Sequence, residues 1–207
     1  MMTLISAVIG YLMGGVSGAI LIAKAFGFGD IRKAGSGNAG TTNVLRTMGY
    51  LPGVLTLVFD ALKVYIACHF GLLLAGQAGL LAAGVCAVAG HIWPVWFRFR
   101  GGKGLAAALG VILAVSPLMG VVMFLLQVVV LVITRKMSIA SLVNIALYPV
   151  FQLLFCRGRE GLWMYIVSAV LVSLMSLYAH RENILRLIRH EEKSLDLGHI
   201  KFGPGKK

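Results

Sequence analysis

Lys103 stands in the run Gly101-Gly102-Lys103-Gly104, where glycines leave backbone N–H groups able to approach an anion beside the ammonium. Segment 35–46 carries a second set of anion-binding residue types. Its glycines, Gly37 among them, permit tight turns. Ser36, Asn38, Thr41, Thr42 and Asn43 offer neutral hydrogen bonds, and Arg46 offers paired donors to a phosphate. Thr41 or Thr42 is expected to cap a short helix running to Met48, with Gly49 just past its end, and an anion sits naturally at such an N-terminus. Asn43 and Arg46, three apart, then share a face. His180 and Asn183 share a face in a third polar segment, and Ser138 and Ser141 do so at the start of a later apolar run. Together these residues read as a cradle for phosphate groups.

Each set has a plainer explanation. Flexible connections also use glycine, but 35–46 is almost free of apolar residues and closes on an arginine, which favours binding. Trp93, Trp96, Arg98 and Arg100 fit an interfacial belt with its basic anchors. Ser138 and Ser141 also serve as helix caps, and the charges after His180 equally suit a solvated amphipathic helix. Asp60 and Lys63 sit inside an apolar run, where an isolated charge costs roughly 2.5 to 3.5 kcal/mol, so pairing with each other at one-turn spacing is expected.

Several familiar catalytic devices are absent from the sequence. No His is followed by Asp in an HxxxxD pattern: Trp96 stands five after His91, Leu185 five after His180, and Leu195 five after His190. There is no GxSxG elbow, and Lys103 lacks both the glycine spacing and the following Ser or Thr of a Walker A loop. Cys68, Cys86 and Cys156 are scattered, so neither a metal site, a disulfide framework nor a bound cofactor is expected.

The elements that must position these residues are apolar helices. The chain is 59% hydrophobic and 13% charged, too apolar for a soluble domain, and backbone in hydrocarbon must satisfy itself by helix formation. An all-α polytopic membrane helix bundle in one domain, 1–207, is therefore predicted. Its spans are placed at 4–25, 53–74, 78–97, 105–115, 117–133, 139–155 and 162–179, with a basic tail at 180–207 that begins as a helix continuing the last span. The closing stretch, 202–207, is expected to be disordered. Ser116-Pro117 breaks what is otherwise one long run. If the chain reverses there, about seven segments result, and the one after Lys103 is a half-helix of about 16 Å.

Charge distribution favours that reversal. With the N-terminus outside, every Lys and Arg except Lys63, Arg157 and Arg159 then falls on the cytoplasmic side or in the tail. The net charge of +12 thus reads as topology rather than nucleic-acid binding. All the phosphate-binding candidates also converge on one face.

These motifs resemble the bacterial acyl-phosphate:glycerol-3-phosphate acyltransferases (PlsY). The resemblance rests on Ser36 to Arg46, on Gly90-His91-Ile92-Trp93-Pro94 with Phe99 to Gly104, and on His180 to Arg186. With Ser138 and Ser141 it covers nearly the whole chain. It implies transfer of an acyl group from acyl phosphate to the sn-1 hydroxyl of glycerol 3-phosphate in the bacterial cytoplasmic membrane, with membrane lipid as the surroundings. It also implies a polar site of Ser36, Arg46, Lys103, Ser141, His180 and Asn183, with Ser138 a neighbour. Two departures are His190, where the family usually has Gly, and Ala107, where Thr is frequent. For the hydroxyl proton, a substrate phosphate oxygen and His180 are both open. A transporter of a phosphorylated metabolite is the rival from another class, and an acyl-CoA-dependent acyltransferase the rival within it.

Overall fold

Glycine and alanine set how closely the helices approach. The computed structural model describes residues 1–195; the expectation of disorder at 202–207 lies outside the described residues. Helix α1 (Met2–Gly14) lies so close to α4 (Tyr50–Ile92) that a Cβ added at Gly10 would stand 2.2 Å from the Ala83 carbonyl oxygen, and one at Gly14 2.0 Å from that of Ala87. Close backbone approach through small residues is how helices associate in lipid. Helix α4 bends at Ala75 and Gly76, whose φ of 58° is left-handed. Its arms fold back so tightly that Gly71 and Gly79 meet backbone to backbone.

The first span, predicted at 4–25, is present as Met2–Ala25 but is broken within. The chain breaks after α1 and resumes as α2 (Gly18–Ala25), with Ser17 extended and its Oγ accepting from the Ile20 amide at 3.4 Å. The freed backbone groups are met from α4: Val16 O accepts from Lys63 Nζ at 2.5 Å, and the Gly18 amide donates to Asp60 Oδ1 at 3.1 Å. The expected Asp60–Lys63 pair is present at 2.7 Å, and it satisfies the break as well.

At Ser116-Pro117 the chain turns back. Pro117 opens α6 (Pro117–Thr134), Ser116 caps it, and Gly120 packs against Leu113 of the short α5 (Leu105–Val115). Two antiparallel helices follow, α7 (Met137–Cys156) and α8 (Leu162–Ala179). Buried Val64, Val111, Met119, Tyr165 and Val172 hold α4, α5, α6 and α8 together. Met2–Ala25, Tyr50–Phe97, Pro117–Thr134, Met137–Cys156 and Leu162–Ala179 are long and apolar enough to cross a membrane; α5 is not. Large apolar side chains such as Leu73, Leu118 and Ile133 point outward, so this is an integral membrane protein.

The last span does not continue into the tail. His180, at φ −92° and ψ 3°, ends α8, and a separate α9 (Arg181–Ile188) follows.

Candidate active site

Unequal arms of α4 make a recess. Asp60 and His91 lie equally far from the bend and so share a level, yet the first arm runs on to Tyr50, roughly 15 Å beyond at 1.5 Å per residue. Helix α3 (Thr41–Met48) rests on that overhang, with Leu45 against Gly53. The turn 98–104 and α5 begin lower down, and Ser176 of α8 lies beside Gly104. The result is a cavity of about 820 Å³ lined by Ser36, Asn38, Thr41, Asn43, Arg46, Lys103, Ser138, Ser141, His180 and Asn183. Gly37, Gly101 and Gly102 do not line it.

Three expectations need correction. Helix α3 starts at Thr41 and is capped by extended Gly40, not by a threonine side chain; Thr41 Oγ1 is instead buried without a partner in the cavity wall. The amides of Gly101 and Gly102 are not free for an anion, because they donate to Ile92 O and His91 O at 3.2 and 3.0 Å. Unpaired amides are found instead in the first turn of α5, immediately after Lys103. Asn43 borders the cavity together with Arg46, but its amide is engaged by its own loop rather than left for a phosphate. Its Oδ1 accepts from the Ser36 amide at 2.9 Å, while Nδ2 donates to Ile31 O, Ala34 O and Asn38 O at 3.2, 3.0 and 3.0 Å. It braces the loop that presents Ser36 and Asn38.

Lys103 Nζ donates to Asn183 Oδ1, which joins the second and third polar segments. Burial pushes its ammonium down to about 8; Arg186 adds to the fall, Glu192 and Glu182 oppose it, and Arg46 adds a little more. Burial likewise lowers the Arg46 guanidinium, which donates to Lys193 O at 3.0 Å. His180 Nδ1 lies 2.8 Å from Ser176 O. A carbonyl only accepts, so Nδ1 carries the proton and Nε2 is left as an acceptor. Burial brings this imidazole down to about 4, so it is neutral at physiological pH. Ser141 Oγ donates to Met137 O at 2.8 Å.

Glu192 was not singled out from the sequence. Its carboxylate takes hydrogen bonds from Asn183 Nδ2 at 3.1 Å and Arg186 Nε at 2.9 Å. Burial works against its charge, but hydrogen bonds from Arg186 and Asn183, with the Ser138 hydroxyl nearby, more than offset that and hold it below the usual carboxylate range. His190 explains how it arrives: its φ of 59° is left-handed, a conformation suited to the glycine usual in the resembled family, and it turns the chain back over α9. The turn continues until the Leu195 amide donates to Arg135 O at 2.7 Å.

Below this polar ring the cavity is apolar, lined by Leu57, Leu109, Ile112 and Met123. Val54 of α4 and Phe124 and Val128 of α6 also line it and are 52%, 40% and 40% exposed, so it opens sideways between those helices. The class is thereby defined: a helical integral membrane protein whose cationic, hydrogen-bonding site sits above an apolar cleft open to lipid.

Comparison with known proteins narrows that class. The family profile described as glycerol-3-phosphate acyltransferase matches residues 4–190. Proteins named glycerol-3-phosphate acyltransferase from Thermoanaerobacter pseudethanolicus and Thermosipho melanesiensis are 38% and 40% identical over 195 and 202 residues. The matches cover 94% and 98% of this chain and 96% and 97% of theirs. Crystal structures of PlsY (YgiH), an integral membrane glycerol 3-phosphate acyltransferase, in glycerol 3-phosphate and lysophosphatidic acid forms, superpose with a TM-score of 0.84. They are 36% and 34% identical, over 94% of this chain and 96% of theirs. The chain belongs to the glycerol-3-phosphate acyltransferase family.

Proposed function

We propose that the chain transfers a fatty acyl group from acyl phosphate to the sn-1 hydroxyl of glycerol 3-phosphate, giving lysophosphatidate and inorganic phosphate. The observation that carries this reading is one cavity with two characters: Lys103, Arg46, Asn183 and His180 above, and a lipid-open apolar cleft below. Phosphate groups of both substrates would meet the cations, and the acyl chain would lie between α4 and α6. The protein sits in the bacterial cytoplasmic membrane with the N-terminus outside and about seven membrane segments, counting both arms of α4 and the half-helix α5, and the cavity opens to the cytoplasm.

In the reaction the sn-1 oxygen attacks the acyl carbonyl carbon, and the bond from that carbon to the phosphate oxygen breaks with its electron pair leaving on phosphate. Lys103 and the first-turn amides of α5 would stabilise the growing negative charge. A bound phosphate monoester, with a second pKa near 6, is a stronger base than an imidazole held at about 4. The hydroxyl proton therefore passes to a phosphate oxygen, while His180 Nε2 accepts a hydrogen bond that orients the hydroxyl. Purified protein given acyl phosphate and glycerol 3-phosphate should release phosphate and lysophosphatidate in equal amounts. Activity only with acyl-CoA, or flux into sealed vesicles without product, would overturn this.

The pH profile separates the roles. Lys103 is charged below about 8 and loses its proton above it, so kcat/KM should fall roughly tenfold per pH unit above that value. Lys103→Arg, if active, should move this limb upward. His180→Gln should lower the rate across the profile without changing its shape; loss of an acidic limb in that variant would make the histidine the base.

A further inference from the structure

Asp60, Lys63 and His91 form a buried cluster within α4 that the reaction above does not use. Asp60 is fully buried, and Lys63 and His91 are nearly so. Ionisable groups at such depth in a membrane protein are functional by default. Asp60 Oδ1 accepts from Lys63 Nζ and the Gly18 amide, and Lys63 Nζ also reaches Val16 O, so the cluster grips the break in the first span. Lys63 Nζ lies 3.2 Å from His91 Nδ1, and Asp60 Oδ1 3.7 Å from the same atom. An ammonium only donates, so Nδ1 accepts and Nε2 carries the ring proton.

His91 in turn meets the lysine turn at two points. Its carbonyl accepts from the Gly102 amide at 3.0 Å. Its Nε2 lies so near Gly102 that an added Cβ would stand 2.2 Å away. The residue after Gly102 is Lys103. Asp60 and His91 both border the cavity, at the level where α5 begins.

We infer that Asp60, acting through Lys63 and His91, is a positioning residue for Lys103: the cluster fixes the height and tilt of the 101–103 turn against the broken first span. Asp60 does not touch substrate; it sets where the Lys103 ammonium stands. The inference rests on Lys103 meeting substrate phosphate, and the measurement separates the two. If Lys103→Ala alone retains full rate, that role fails; if it does not, the Asp60 result stands on its own.

The test is a double-mutant cycle on the purified full-length enzyme in detergent, reading kcat, the KM of each substrate and the melting temperature. Asp60→Asn keeps shape and removes charge. It should lower kcat by about a hundredfold, the size of effect expected from misplacing a catalytic group by about 1 Å, with each KM within about threefold. In a Lys103→Ala background the same change should cost less than about twofold, since the group being positioned is gone. His91→Gln leaves the Asp60–Lys63 pair intact and should repeat the pattern, so it answers the question if Asp60→Asn does not fold. Equal fold-losses in both backgrounds would overturn the inference, as would kcat within about twofold of normal in folded Asp60→Asn or His91→Gln.

Discussion

Replacing Lys103 by alanine should lower acyl transfer by about two to three orders of magnitude, the scale associated with losing a preorganised charge beside a developing anion. The ammonium is half-buried, fixed by Asn183 Oδ1, and stands beside the first turn of α5, where backbone amides lack helical partners. Its removal leaves Glu192 in the wall with only the arginines to balance it. A phosphate approaching that wall then meets the carboxylate with one cation fewer beside it. Steady-state rates with acyl phosphate decide the matter: a variant keeping more than about a tenth of the normal rate would remove Lys103 from the mechanism.

The second large effect is expected at a residue that has no free hydrogen-bonding group for substrate. Asn43→Asp retains size and the acceptor for Ser36, but it removes both donors and sets a carboxylate against the carbonyls of Ile31, Ala34 and Asn38. Each buried acceptor left without a donor costs about 1–3 kcal/mol, enough to release the loop that presents Ser36, Asn38 and Thr41. Activity should fall at least about a hundredfold while helix content by circular dichroism is unchanged, since α3 lies outside the spanning helices. Limited proteolysis distinguishes a brace from a ligand: a lost brace makes 34–40 cleavable in the absence of any substrate. Wild-type resistance together with wild-type rate would refute the role.

Much of this was legible in the sequence because lipid leaves few alternatives. Spanning segments must be apolar and helical, so their runs stand out, and Ser116-Pro117 advertised its own reversal. The break at Gly15-Val16-Ser17 carries no proline, and what permits it is a pair of charges on another helix. The motif residues lining the cavity could be gathered from their types, yet helical spacing alone did not reveal that Asn43 faces its own loop. Gly101 and Gly102 looked like open amides because nothing local shows the carbonyls of His91 and Ile92 above them. Glu192 lies in a charged stretch that reads as solvated tail, and only the fold carries it to Asn183.

Helix α5 has a consequence for energetics across the bilayer. Its eleven residues reach about 16 Å, and Arg159 Nη1 closes the far end on Val115 O at 3.0 Å. With the cavity mouth in the cytoplasm as proposed, the pit above α5 stays near the potential of that aqueous phase, and a transmembrane voltage drops across the thin septum beneath. Carrying one elementary charge through the whole drop would take about 2.3 kcal/mol per 100 mV, yet a phosphate dianion sinking to Lys103 traverses almost none of it. Sinking the reaction toward the acyl chains therefore leaves substrate capture electrically silent, whether or not the membrane is energised.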